Sequence, residues 1–147
     1  MYQQRLLILS CSKAKRPTNL AVQAIDLYDG PAFRVLRRFI SNSNISADLD
    51  ILILSAKHGF LSSSTRIATY DQRMGSHTVL PPAKLRQQLT VFTFGKHYSE
   101  VFINLGSDYF SHLPDLTTVL DGPPCIITAR GRIGERLHSL KEWLSNT

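Results

Sequence analysis

Four short, largely apolar runs, each followed at once by a loop of small and basic residues, constrain the fold of this chain most strongly. The runs are residues 6–9, 51–54, 101–105 and 125–128. Apolar runs of this length bounded by turn residues are typical of strands buried in a parallel sheet. Loops that follow parallel strands gather at the carboxyl edge of the sheet, where ligands bind in α/β proteins. The sequence therefore predicts one cationic pocket there, suited to an anionic or phosphate-bearing ligand.

Amphipathic helix patterns lie between these runs. Pro31 opens the first pattern, and Pro81 and Pro82 open the second, since proline is favoured in a first helical turn. The third pattern begins at Ile133. The apolar residues that share a face are Phe33, Leu36, Phe39 and Ile40; Leu85, Leu89 and Phe92; and Ile133, Leu137, Leu140 and Leu144. This order predicts a single three-layer α/β domain over residues 1–147, with a mostly parallel central sheet of four to five strands and helices on both faces. Residues 62–80 show little periodicity and are predicted to form a long loop that acts as a lid or contacts substrate.

Composition narrows the class of partner. The chain has 147 residues and a formal net charge of +6, which favours nucleic acid or nucleotides as partners. No apolar run approaches the ~18 residues of a membrane span, and the N-terminus lacks the layout of a signal peptide. The two cysteines lack metal-ligand spacing, and no Asp/Glu/His cluster is typical of a metal site. We therefore expect a cytoplasmic protein with reduced thiols, no membrane partner, no metal and no cofactor.

The loop after the first run is a candidate anion site. Backbone amides together with Ser12, Lys13 and Lys15 could hold a phosphate there, although the glycines of a P-loop are missing. The alternative is a solvated basic turn. Cys11 is a candidate nucleophile because the flanking lysines favour its thiolate, and its alternative is a small buried residue that closes the strand.

The loop after the second run carries Ser55, Lys57, His58 and Gly59. Lys57 is a candidate for proton transfer, and His58 is either an acid or base or a structural residue. Gly59 permits a positive backbone dihedral or the close approach of a ligand. The Ser-Ala-Lys sequence also occurs in some hydrolases, but a pattern this short arises by chance in most proteins.

Aromatic residues near these loops could recognise a base. Tyr70 and Asp71 pair a stacking surface with a carboxylate, a combination that can grip the face and the polar edge of a base. Tyr109, which follows Gly106, offers a second flat surface. The alternative interpretation is that each tyrosine is a half-buried core residue.

The last helix pattern begins in a glycine- and arginine-rich segment. Arg130 and Arg132 flank Gly131, and Gly134 follows, so that cations surround a helix N-terminus that favours anions. The alternative is that these glycines serve only close packing of the helix on the strand.

Several motifs together resemble an uncharacterised bacterial and phage domain family related to the YaaA-like peroxide-stress proteins. They are Ser10-Cys11-Ser12-Lys13-x-Lys15, Leu27-Tyr28-x-Gly30-Pro31-x-Phe33, Leu54-Ser55-Ala56-Lys57-x-Gly59-Phe60-Leu61, Ile67-x-x-Tyr70-Asp71, Gly106-x-x-Tyr109 and Gly131-x-x-Gly134-x-x-Leu137-x-x-Leu140-Lys141. The resemblance implies DNA binding and protection from oxidative damage, or handling of 7-deazaguanine bases in DNA or tRNA. It also implies a basic pocket lined by Ser12, Lys13, Lys15, Ser55, Lys57, Gly59, Tyr70 and Asp71. Tyr28, in the second motif, is a further candidate ligand-binding residue.

These observations predict a domain that binds nucleic acid, a nucleobase or a nucleotide, or an enzyme that acts on a modified base in DNA or RNA. Lys13, Lys15, Arg130 and Arg132 would hold phosphate, Tyr70 or Tyr109 would stack on the base, and the catalytic candidates are Lys57, Asp71 and Cys11. The alternative is a hydrolase or transferase that acts on a phosphorylated metabolite. A third reading is a binding module without catalysis. The positions of Arg34, Arg37 and Arg38 distinguish a nucleic-acid ligand from a metabolite. A nucleic acid is favoured if these arginines extend the positive field of the pocket across the surface, and a metabolite is favoured if they are scattered.

Overall fold

The computed structural model describes residues 4–18, 20–42, 48–69, 80–122 and 124–146. The strands are β1 (Gln4–Ser10), β2 (Val22–Gln23), β3 (Leu49–Ser55), β4 (Gly59–Ser62), β5 (Arg66–Ile67), β6 (Tyr98–Asn104) and β7 (Cys125–Thr128). The helices are α1 (Ala24–Leu27), α2 (Pro31–Asn42), α3 (Pro82–Thr93), α4 (Ser107–Phe110), α5 (Leu116–Val119) and α6 (Ile133–Ser145).

The four apolar runs form neighbouring parallel strands of one sheet. Within the described residues the sheet has five strands in the order β4-β3-β1-β6-β7, and only β4 runs antiparallel to its neighbour. In its centre, Ile8 of β1 lies opposite Leu52 of β3 and Ile103 of β6. The predicted α/β class and the mostly parallel sheet are confirmed, and the loops after β1, β3, β6 and β7 all leave from the same edge.

Alternate residues of β1 enter two separate apolar clusters. Leu7 and Leu9 pack in one cluster with Phe33 and Leu36 of α2 and with Leu140 of α6. Side chains alternate between the faces of a strand. Accordingly, Leu6 and Ile8 belong to the second cluster, which contains Leu85 and Leu89 of α3.

All three long helix patterns form helices, with starts at Pro31, Pro82 and Ile133. Ile133 belongs to the predicted apolar face of the last helix but is 65% exposed, whereas Leu140 and Leu144 of the same helix are buried. Ile133 is the first residue of α6 and directly follows the loop after β7, whereas Leu140 and Leu144 lie in the later turns of the helix.

The segment predicted as a long loop contains a short strand. In β5, Ile67 pairs with Val22 and Arg66 pairs with Gln23, and the Ala24 N–H donates to the Thr65 carbonyl at 2.8 Å. Two paired residues are too short to produce a visible period in the sequence. Residues 70–79 of the same segment, and the lid role predicted for it, lie outside the described residues. Among the helices of the described ranges, none has the length and apolar character needed to cross a membrane.

Candidate functional site

The loops at the carboxyl edge are tied to the strands beside them. The Cys11 N–H donates to the Leu54 carbonyl at 3.0 Å, so the segment after β1 continues along β3. The Ala129 N–H donates to the Ile103 carbonyl at 2.8 Å, so the segment after β7 continues along β6. These backbone bonds hold the starts of the two loops in register with the rigid sheet.

A cleft of about 910 Å³ opens between the segments that follow β6 and β7. Among the described residues, three arginines line it: Arg130 and Arg132 in the loop after β7, and Arg136 in the first turn of α6. We call it the arginine cleft. Its remaining lining residues are Leu105, Ser107, Phe110, Ser111, Thr128, Ala129, Gly131, Ile133 and Gly134. Since guanidinium groups present a rigid fork of donors that matches phosphate and carboxylate oxygens, the cleft can bind an anion.

Gly131 shapes this part of the cleft. Its φ is +94°, a conformation that favours glycine, and a Cβ there would lie 2.8 Å from the Glu135 carboxylate. The turn at Gly131 lets Glu135 fold back, so that its Oε1 accepts from the Arg132 N–H at 3.3 Å. Glu135 thus occupies part of the helix N-terminus, and the attraction for an anion rests on the three guanidinium groups rather than on free helix amides.

A smaller cavity of about 180 Å³ lies beside the arginine cleft, and Arg136 and Ile133 line both. Cys11, Ser12, Gly30 and Asn104 also line this cavity, which we call the thiol cavity. The Arg136 Nη1 donates to the Asn104 Oδ1 at 3.4 Å, which positions the guanidinium between the two spaces.

Cys11 is buried in the thiol cavity and contacts Tyr109. Its Sγ lies 3.1 Å from the Tyr109 Oη, within hydrogen-bonding distance for either donor. Tyr109 is half-buried, and its ring packs against both apolar clusters. The two predicted residues are therefore brought together, with the phenol directed at the thiol. A nucleophilic role for Cys11 stays a prediction.

The rest of the loop after β1 is held by its own hydrogen bonds. The Ser12 Oγ donates to the Ala14 carbonyl at 2.6 Å and accepts from the Gly30 N–H at 3.2 Å. Lys15 forms an isolated backbone bridge with Tyr28, and its Nζ lies 5.9 Å from the centre of the Tyr28 ring. Lys13 is exposed, and neither lysine is among the residues that line the two cavities.

Tyr28 lies in the core rather than on the pocket surface. Its side chain is 0% exposed, and its ring centre is 5.3 Å from that of Phe33. This burial places it under the loop, as a support for the strand ends.

The loop after β3 forms a tight turn into β4 that contacts α3. The buried Ser55 Oγ accepts from the Lys57 N–H at 3.2 Å and from the His58 N–H at 3.1 Å. Gly59 has a φ of +72°, as the turn requires, and a Cβ there would overlap the Gln88 side chain.

Burial lowers the pKa of His58 below its usual value, and the neighbouring Lys57 charge lowers it further. Lys57 itself is exposed. The residues of this turn are not among those that line the arginine cleft or the thiol cavity. The sites around β1, β6 and β7 therefore form without them.

Tyr70 and Asp71 lie outside the described residues. The remaining predicted ligand residues lie on the segments around the cleft: Gly106 precedes α4, and Arg130, Arg132 and Gly134 line the cleft itself.

Sequence reasoning missed Arg136 and Phe110, which also line the cleft. Arg136 lies four residues after Arg132, a spacing that places two side chains on the same side of a helix start and could have revealed it. Phe110 carries no comparable signal, because its direction depends on how α4 is held.

None of the curated proteins matches this chain. A family model does match it, over residues 6–142, which is nearly the whole length. That match spans the loops of both cavities as well as the sheet. The chain belongs to a family of unknown function, DUF6884.

Proposed function

We propose that this protein binds nucleic acid or nucleotides through their phosphate groups in the arginine cleft. The observation that carries the proposal is the presence of Arg130, Arg132 and Arg136 in one open cleft at the carboxyl edge of the sheet. Glu135 lies beside them and accepts from the Arg132 N–H, and the three arginines outnumber this one carboxylate. Phosphate oxygens are the anionic groups that such guanidinium clusters bind in nucleic acids.

Two further considerations support this ligand class. The formal net charge of +6 attracts polyanions over a distance of several ångströms. The likeness of the sequence motifs to the YaaA-like proteins points to the same class, and relation to that group is part of the proposal. We also infer a three-layer arrangement. Alternate residues of β1 enter two apolar clusters, one with residues of α2 and α6 and the other with residues of α3.

One observation favours the alternative, an enzyme that acts on a phosphorylated metabolite. Arg34 and Arg37 both bind the Asp29 carboxylate, at 3.2 Å and 2.6 Å, so one negative charge offsets part of their positive charge. The hydrogen bond from Arg34 is the largest of the effects that lower the pKa of Asp29, and Arg37 acts in the same direction. Arg38 lies with Lys141 in a separate groove between α2 and α6. None of these three arginines is among the residues that line the arginine cleft, and a site for a small ligand does not need their charge.

Binding to labelled single-stranded DNA, duplex DNA and RNA, measured by fluorescence anisotropy over a salt series, tests the proposal. We expect Arg132→Gln and Arg136→Gln to weaken binding and each to lower the slope of log affinity against log salt by about one. Arg38→Gln is the matched control, because it removes the same charge from a different surface. Its slope should stay close to that of the wild type.

Equal effects of all three substitutions would mean that overall charge, not the cleft, binds the polymer. If no nucleic acid binds at low salt, calorimetry with ribose 5-phosphate tests the alternative, a site for a phosphorylated metabolite. Binding that is lost in Arg132→Gln and Arg136→Gln but not in Arg38→Gln would identify a metabolite site.

A further inference from the structure

Phe110 presents an aromatic side chain to the arginine cleft. It is the last residue of α4, lines the cleft together with the three arginines, and is 45% exposed. An exposed phenylalanine is not by itself a signal, since such residues occur singly on most proteins. Its position in a cleft that three arginines also line makes it different.

The contacts of α4 explain why Phe110 faces the cleft. The Tyr109 Oη lies 3.1 Å from the Cys11 Sγ, which directs this neighbouring side chain toward the thiol cavity. The Phe110 N–H donates to the Gly106 carbonyl at 2.8 Å, which closes the turn. Successive residues of a helical turn point about 100° apart, so Phe110 cannot follow Tyr109 and instead lines the cleft.

We infer that the arginine cleft binds an unpaired nucleotide unit, with the phosphate on the arginines and the base stacked on Phe110. This rests on the proposed function and adds the kind of nucleic acid: a single strand, because the bases of a duplex are stacked on one another and their faces are not accessible. The cleft volume of about 910 Å³ lies within the range of small-molecule sites, which is large enough for one nucleotide. In this proposal Phe110 takes the stacking role predicted for Tyr70 or Tyr109.

Two oligonucleotides of the same length and charge separate base stacking from phosphate binding: a short thymidine oligonucleotide and an abasic one made of deoxyribose phosphates. The wild-type protein should bind the thymidine oligonucleotide more tightly. Phe110→Leu keeps an apolar side chain but removes the aromatic face, and should weaken thymidine binding by about five- to a hundredfold. Binding of the abasic oligonucleotide should not change.

Two variants make the comparison specific. Phe110→Tyr keeps the aromatic face and should retain the preference for thymidine. Phe94→Leu makes the same replacement at a phenylalanine that is 83% exposed, just after α3, and should bind both oligonucleotides as the wild type does. Thermal unfolding of each variant shows whether it is folded.

The outcomes distinguish the two proposals. If the wild type binds thymidine and abasic oligonucleotides equally and only the arginine substitutions weaken binding, the proposed function stands and stacking on Phe110 is wrong. The same holds if Phe110→Leu weakens both oligonucleotides to the same degree. If the wild type binds neither oligonucleotide but binds duplex DNA, the proposed function stands and the single-strand inference is wrong. If it binds none of the nucleic acids of the salt series, both proposals fail.

Discussion

His58 is a residue whose charged form the fold disfavours. Burial lowers its pKa, and the adjacent Lys57 adds repulsion between like charges. In the unfolded chain a histidine has a pKa of about 6.5. Below that pH the unfolded state binds a proton that the folded state resists, so acid shifts the equilibrium toward unfolding.

We therefore expect the free energy of unfolding to fall as the pH is lowered from about 7 to about 5. His58→Gln should remove part of this decline, because the substituted side chain has no proton to gain. Urea unfolding at a series of pH values measures how the free energy of unfolding declines in each protein. The matched control is His97→Gln, which replaces an exposed histidine after α3. Identical pH slopes for His58→Gln and the wild type would contradict the assignment.

At the scale of elements, one glutamine of α3 connects the helix to the β3–β4 turn. The Gln88 Oε1 accepts from the Phe60 N–H at 2.8 Å, and the Gln88 Nε2 donates to the His58 carbonyl at 3.0 Å. Phe60 is buried, so water cannot easily replace the bond to its N–H. An unpaired buried backbone group is destabilising.

Gln88→Ala should lower the free energy of unfolding by about 1–3 kcal/mol, the range for leaving a buried polar group without a partner. Chemical denaturation gives the value. Gln87→Ala makes the same change at an exposed neighbour on the same helix and should have little effect. An equal loss of free energy of unfolding in the two variants would mean that the two hydrogen bonds of Gln88 contribute nothing and that only helix propensity has changed.

At the scale of the whole molecule, Arg5 joins parts of the chain that are far apart in sequence. The buried Arg5 Nη1 donates to the Trp143 carbonyl at 2.8 Å, and its guanidinium lies 4.3 Å from the centre of the Trp143 ring. Trp143 in turn donates from its Nε1 to the Glu100 Oε1 at 2.9 Å. These contacts hold the end of α6 on β1 and β6, and thereby help to hold the start of the same helix, with Arg136, at the cleft.

Arg5→Lys keeps the charge but loses the planar group that stacks and binds the carbonyl. We expect it to lower the free energy of unfolding by about 1–3 kcal/mol. The emission of Trp143, the one tryptophan of the chain, should shift to the red as its ring becomes more exposed. Lys141→Gln, at an exposed position of α6, is the control. Unchanged emission and stability in Arg5→Lys would show that α6 docks without this contact.

The sequence by itself determined the secondary structure that makes the sheet. Apolar runs such as 6–9 and 51–54 formed buried parallel strands, and Pro31 and Pro82 began helices, because these signals depend on neighbouring residues along the chain. Strand β4 and the pair β2–β5 had no such signal, since their short segments become strands only when a partner lies beside them.

Tertiary structure decided which side chains share a site. Arg130 and Arg132 could be predicted at the carboxyl edge, but Arg136 joined them through the start of α6, and Lys57 leads into a turn that contacts α3. Tyr109 and Phe110 are adjacent in sequence and similar in character, yet only Phe110 lines the cleft. The physical reason is that a pattern along the chain sets the period of an element, whereas the neighbours of a side chain depend on how whole elements pack.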